Sequence, residues 1–486
     1  MLITQIAVPL GTAIITDMTL QVLSRMIDKK IFGSFIEHIE NCIEGGIVSV
    51  GNPLSNEFGI RTDVLAVCKE LAPTVLRFPG GTVMGIYHWM DYVGPIQTRK
   101  KVKNIVWGGR MTREFGTAEF VEYCRRIGSE PMICVNMPTG TPEEAAAWVE
   151  YCNGTDDTHY ANLRRAHGYE APFNVKYWCI GNESFAEPDL GLQHDVETYI
   201  KEAWEYSKYM KMTDPDIELV FVGNGEDSTW NQEVLDSLSP ICDYLSIHYY
   251  AGGDNPLGHL RAFERNQLAL VEKIIAEENN KNKPLDRWYR IPPRKHAIQI
   301  ALDEWNIWNP SENERSRYGL YQEYTWNDAL WTAEFLLMMI RHSDVIGIAN
   351  LAQMVNTIAP IMATEDGVWK QTTFYPIKYI SQYCGECLIA NEALEGQAHE
   401  GLSIVTTQTA KDRTVFIINH STEVSKLSFA ASGKWIEIRA DEGQVTNGPN
   451  KDIVIVNEKE LDTKELKMNP LSINIIQARV ENQIED

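Results

Sequence analysis

Nowhere does this chain approach the roughly 18 to 20 consecutive apolar residues that a membrane-spanning helix needs. Basic residues are missing ahead of Arg25, so a secretory leader with its charged n-region is not expected. Positive charge is scarce throughout: 44 Lys and Arg stand against 67 Asp and Glu, a formal charge of -23 and a pI near 5.0. Such a chain is repelled by nucleic acid and by anionic membranes, and a neutral small molecule is the more natural partner. Metal-binding spacings are also lacking. Neither His38 nor His248 belongs to an HxH or HxxxH pattern, and Cys384-Gly-Glu-Cys387 has no second pair, so it reads as two thiols near a helix end. No metal and no cofactor are expected. The nine cysteines are scattered, with Cys134, Cys179 and Cys242 inside apolar runs, which is the pattern of reduced, buried thiols in the cytoplasm. There is no internal repeat and no low-complexity linker, and the basic run Arg99-Lys-Lys-Val-Lys103 reads as a solvated loop.

What the chain has is alternation. The 486 residues would make about three average domains, but α/β barrels exceed that unit size. Short apolar or β-branched runs bounded by turn residues predict strands at Ile31–Glu37, Thr74–Pro79, Pro131–Asn136, Val175–Ile180, Glu218–Gly223, Tyr244–Tyr250, Ile298–Glu304 and Ile346–Gln353. Helical periodicity lies between them, as in Thr117–Arg126 and Asp195–Met212. Eight such units predict an α/β fold, a (β/α)8 barrel over residues 26–385. The texture then changes to short strands at Leu402–Thr407, Thr414–Asn419, Trp435–Ala440, Ile453–Val456 and Leu471–Gln477, which predicts a C-terminal antiparallel β-sandwich over 386–486. Residues 1–25 offer one strand-like piece, Thr12–Thr16, expected to join that β domain.

Two stretches carry chemistry. Lys176-Tyr-Trp-Cys-Ile-Gly-Asn-Glu183 and Ile298-Gln-Ile-Ala-Leu-Asp-Glu304-Trp-Asn-Ile-Trp308 are both strand-like runs that end in a glutamate. Burial at a strand end would raise the pKa of Glu183 and suit it to act as an acid, while Asn182 offers an amide to a substrate hydroxyl. Two such glutamates beside aromatic residues point to glycoside hydrolysis, in which one carboxyl protonates the leaving oxygen and the other attacks or stabilises the anomeric carbon. Other predicted strands end in Glu37-His38, Arg77-Phe-Pro-Gly-Gly81, His248-Tyr-Tyr250 and Gln353. So many polar residues at one end of a barrel are tolerable only around a solvated pocket, and there Arg77 would serve as counter-ion to the carboxylates. The two histidines read as hydrogen-bonding groups in the barrel mouth.

The motifs IFGSFIEH (31–38), LRFPGG (76–81), EFGTAEF (114–120), GTPEEAAAWVEYCN (140–153), AHGY (166–169), WCIGNE (178–183), ALDEWNIW (301–308) and LAQMVNTIAPI (351–361) resemble those of glycoside hydrolase family 51, the α-L-arabinofuranosidases. The resemblance runs through the whole predicted barrel in order. It implies a retaining mechanism, with Glu183 as general acid/base and Glu304 as nucleophile. It also implies substrate contacts from Glu37, Arg77, Asn182, Tyr250 and Gln353, aromatic walls from Trp107 and Trp308, and a homo-oligomer, frequently a hexamer. Thr82 stands where the family commonly has an asparagine that hydrogen-bonds the furanose. Ser184–Asp189 replaces the family's usual Met-Asp-Gly-Pro-Trp-Gln. The expected substrate is therefore a short arabino- or arabinoxylo-oligosaccharide, with a β-xylosyl or other furanosyl unit as the alternative. A silent glycan-binding barrel would need neither glutamate, and a metal-dependent barrel enzyme would need three clustered ligands.

Overall fold

The computed structural model describes residues 25–185, 195–281, 283–285, 290–310, 316, 318–399 and 401–480. Eight parallel strands close into a barrel: β1 (Gly33–Phe35), β2 (Val75–Phe78), β3 (Glu130–Val135), β4 (Tyr177–Ile180), β5 (Glu218–Val222), β6 (Tyr244–Ala251), β7 (Gln299–Ile307) and β8 (Ile346–Ala352). Each lies within or across one of the predicted runs. Their order around the barrel is their order in the chain, and β8 returns to β1. These strands are buried on both sides, which is why they read as continuous apolar runs rather than as alternation. Inside the barrel Met132, Cys134, Cys179, Val220, Tyr244 and Ile348 pack into a plug that forms the floor beneath the strand ends.

The outer helices follow from local signals. The helix Thr117–Ile127 stops where Gly128 takes the left-handed conformation at φ 80°, as a C-terminal cap does. Trp326–Arg341 starts with a capping box in which Asp328 N donates to Thr325 Oγ1 at 3.3 Å and Thr325 N donates to Asp328 Oδ2 at 2.7 Å. This helix is apolar nearly all round because it is covered on two sides, by the barrel and by the C-terminal sheet.

Among the described residues the C-terminal antiparallel domain forms one seven-stranded sheet. Phe416 and Ile418 face the main core, whereas Val415 and Ile417 on the same strand join a second cluster with Leu427, Trp435 and Ile476. Two of its strands run much further than their apolar segments suggested: Ser425–Arg439 pairs with Ile455–Met468 in a long hairpin. The predicted strand Thr12–Thr16 lies outside the described residues. Arg25–Met26 does pair, antiparallel, with Leu388 and Cys387 at the edge of the C-terminal sheet. Trp326 Nε1 donates to Leu471 O at 2.7 Å, tying barrel to sheet. In the basic run, Lys100, Lys101 and Lys103 are exposed as expected, but Arg99 is buried and paired with Glu119 at 2.7 Å.

Candidate active site

The C-terminal ends of the strands bring the predicted residues to one place. Arg77, at 1 % exposure, leaves β2 and lies over the Phe35 ring at 4.6 Å. Its Nη1 donates to Glu304 Oε1 at 2.6 Å and its Nη2 to Asn182 Oδ1 at 2.7 Å, so one guanidinium fixes groups from β7 and from the loop after β4. The Pro-Gly-Gly turn that follows is shaped by crowding. A Cβ on Gly81 would sit 3.0 Å from Glu37 Oε2 and 3.4 Å from Glu304 Oε1. Thr82, half-buried, opens the 3-10 helix Thr82–Ile86 directly after it.

Glu304 does not end its strand: β7 continues through Ile307. Its pairing shifts register between Ala301 and Glu304 on the β6 side and between Leu302 and Trp305 on the β8 side. Regular alternation would send Asp303 and Glu304 to opposite faces, and the bulge lets both carboxylates turn towards Arg77. Asp303 Oδ2 lies 3.3 Å from Arg77 Nε. Glu304 Oε2 accepts from Tyr250 Oη at 2.7 Å. Burial and then the charge of Glu304 push the Tyr250 phenol well above its usual value, so it stays a donor.

Glu183 follows Gly181 and Asn182 out of β4 with a left-handed φ of 41°, strained for a residue with a side chain. Its Oε1 lies 2.7 Å from His248 Nδ1. Burial works against the charge of Glu183, but the hydrogen bond and charge of His248, with help from Arg77, outweigh it and hold the carboxyl below its usual range. The sequence-based expectation was a raised value. It weighed the burial and missed the partner. His248 shifts the other way: burial opposes its charge, and Glu304, Asp303 and Glu183 together push it well above the usual imidazole value. Single ligand atoms of Glu183, His248 and Glu304 all lie within 4.8 Å of one another. They could in principle hold a metal, but both ring nitrogens are engaged, Nε2 lying 3.3 Å from Ser246 Oγ and 3.4 Å from Asp303 Oδ1. A metal there would have to displace the proton that the surrounding carboxylates favour on the ring.

Glu37 lies on the far side of the turn. Its Oε1 accepts from Trp107 Nε1 at 2.9 Å and Val83 N at 3.0 Å, and Gln353 Nε2 donates to Oε2 at 3.3 Å. Burial raises its pKa to about 7 in spite of those donors. Trp308 meets the Tyr250 ring edge-on at 5.9 Å, and Trp107 meets Tyr318 at 5.3 Å. His38 bonds Glu44 at 2.8 Å, away from the carboxylates. Of the replaced segment only Ser184 and Phe185 are described, with Phe185 against Trp230 at 5.7 Å; the rest lies outside the described residues. Sequence reasoning did not single out Asp303 or Ser246, and it gave His248 no place beside Glu183.

Comparison with known proteins agrees with this geometry. Residues 67–267 match the family model for the α-L-arabinofuranosidase 1 domain, and residues 303–472 match that for the α-L-arabinofuranosidase C-terminal domain. A probable α-L-arabinofuranosidase C of Aspergillus niger is 40 % identical over 371 residues, covering 74 % of this chain and 72 % of that protein. An intracellular exo-α-(1→5)-L-arabinofuranosidase of Halalkalibacterium halodurans is 34 % identical over 430 residues, covering 82 % and 83 %. The thermostable GH51 α-L-arabinofuranosidase of Thermotoga petrophila superposes with a TM-score of 0.83 at 30 % identity, over 93 % of this chain and 97 % of that one. With barrel, C-terminal sheet and sequence all shared over most of its length, the chain belongs to the α-L-arabinofuranosidases of glycoside hydrolase family 51, enzymes that release arabinofuranosyl residues.

Proposed function

We propose that this enzyme is an exo-acting α-L-arabinofuranosidase in which Glu304 attacks the anomeric carbon and Glu183 handles the proton. The observation that carries the assignment is the spacing of the pair: an oxygen of Glu183 and an oxygen of Glu304 lie within 4.8 Å of each other. Direct attack places the carboxyl groups about 5 to 5.5 Å apart, whereas inversion needs about 6.5 to 9.5 Å to admit a water. Glu304 is also the better held of the two, with Arg77 on one oxygen and Tyr250 on the other. In the first step a Glu304 oxygen bonds to the anomeric carbon while the glycosidic bond breaks and the leaving oxygen takes a proton from Glu183. In the second, water gives that proton back and its oxygen replaces Glu304.

Glu37, Thr82, Trp107, Asn182, Tyr250, Trp308 and Gln353 contact the sugar in this reading, with Arg77 beneath it. Glu37 and Gln353 are nearly sealed, at 2 % and 3 % exposure, which supports a pocket for one terminal residue rather than an open groove. The substrate is then the terminal α-L-arabinofuranosyl unit of a short arabino- or arabinoxylo-oligosaccharide. All nine cysteines are free thiols, which supports a reducing compartment, the cytoplasm. The test is a panel of aryl glycosides that starts with the α-L-arabinofuranoside. Glu304→Ala should lose nearly all turnover, and Glu183→Ala should lose least on good leaving groups and be rescued by azide. A Glu183→Ala enzyme equally slow on every leaving group and unmoved by azide would sink the assignment.

A further inference from the structure

His248 joins the two glutamates, and the double displacement as written above does not use it. The side chain is 10 % exposed. Its Nδ1 lies 2.7 Å from Glu183 Oε1 and 3.8 Å from Glu304 Oε2. Its Nε2 faces Asp303 Oδ1 at 3.4 Å and Ser246 Oγ at 3.3 Å, and Ser246 Oγ donates to that same Asp303 oxygen at 2.5 Å. Among the described residues, the charged and titratable groups around it are Glu183 from the β4 end, Asp303 and Glu304 from β7, Arg77 from β2 and Tyr250 from its own strand. Three carboxylates thus face a single guanidinium, and a proton on the imidazole offsets the excess.

We propose that His248, resting on Asp303 and Ser246, stores the proton that the leaving group receives, and that Glu183 relays it. This rests on the assignment of Glu183 and Glu304 above. In the resting site Glu183 and Glu304 are anionic and the ring carries its proton on Nδ1, so these three groups sum to one negative charge. As Glu304 bonds to the anomeric carbon, the Nδ1 proton passes to Glu183 and from Glu183 to the departing oxygen, which leaves as an alcohol. Glu183 remains anionic, the ring is neutral and Glu304 is an ester, again one negative charge. Water then adds its oxygen to the anomeric carbon, its proton returns through Glu183 to Nδ1, and Glu304 leaves as the carboxylate. The direction is built in: ester formation removes a negative charge 3.8 Å from the proton just when the proton must go, and hydrolysis restores that charge when it must return. A Glu183 held below its usual range beside a His248 held above it is the resting state this scheme requires. His248 does not touch the sugar; it is a positioning residue that acts through Glu183.

Two measurements test this. Imidazole nitrogen shifts of 15N-labelled enzyme near neutral pH, with the His248 signal assigned from His248→Asn, should show a charged ring in the free enzyme. The ring should be neutral once Glu304 is trapped by a 2-fluoro-arabinofuranosyl donor. A neutral ring at rest, or a ring still charged in the ester, overturns the proposal. Failure of the donor to label Glu304 at all would instead overturn the nucleophile assignment. Kinetically, His248→Asn keeps a donor for Glu183 but no transferable proton. It should lose about 100- to 10,000-fold in kcat/KM on oligosaccharides and less than about tenfold on an aryl glycoside with an electron-poor phenol, and its alkaline limb should move towards acid. Equal loss on both substrates with the alkaline limb in place would mean that His248 only packs.

Discussion

Replacing Glu37 by glutamine isolates the energetic cost of a buried carboxyl beside Glu304. Glu37 is 2 % exposed, and burial lifts its pKa from 4.5 to about 7, with Glu304 adding to the rise and the Val83, Trp107 and Arg77 groups opposing it. That rise of about 2.5 pH units, at about 1.36 kcal/mol each, is worth about 3 kcal/mol. The sign follows from proton counting. Below pH 4.5 the carboxyl is neutral whether the chain is folded or not. Between 4.5 and 7 the unfolded chain releases its proton and the folded one retains it, so stability falls as pH rises, and the loss is complete above pH 7. In Glu37→Gln the amide oxygen would keep the acceptor for Trp107 and Val83 and no proton would titrate, and a flipped Gln353 amide could accept from the new NH2 group. The assay is urea unfolding of both proteins, followed by tryptophan fluorescence from pH 4.5 to above 7. The stability of Glu37→Gln relative to the parent should climb by about 3 kcal/mol across that window. A difference that stays flat, or falls, refutes the reasoning, because it would mean that Glu37 titrates alike in the folded and unfolded chain.

Three further outcomes are expected. Gly81→Ala should lose at least about tenfold in kcat, because its methyl would press on Glu37 Oε2 at 3.0 Å, tighter than ordinary contact, and displace a carboxyl that lies close to Glu304; an unchanged kcat would mean the pocket has slack. Thr82→Asn adds an amide with two donors beside the pocket and should raise kcat/KM on the α-L-arabinofuranoside by up to about tenfold; a sharp fall instead would show that the site is already built around the threonine. Dialysis against EDTA should leave kcat unchanged, since both ring nitrogens of His248 are engaged by protein groups; loss of activity restored by zinc would make Glu183, His248 and Glu304 ligands.

The eight barrel strands were legible because burial on both faces writes a strand as an apolar run, and Glu183 and Glu304 were legible as candidates because each follows such a run. The long hairpin was half-hidden for the converse reason. Lys459, Glu460, Asp462, Lys464 and Glu465 are exposed on a strand defined by pairing rather than by burial, so no apolar period marks it. Asp303 was hidden more deeply. In a regular strand it would face away from Glu304, and the register shift that turns both inward is a property of the pairing with β6 and β8, not of the β7 sequence alone. His248 and Ser246 are a different case, because a signal was present. Ser246, His248 and Tyr250 alternate along one strand and must share a face. In a strand whose other residues include Leu245 and Ile247, both sealed, three polar side chains on one side imply a polar partner across the barrel. The partners there are Glu304 for Tyr250 and Glu183 for His248. The same pairing sets the sign that a lone buried acid at Glu183 lacks: an imidazole beside a carboxyl favours its charged form, which is why Glu183 lies below its usual range in spite of burial.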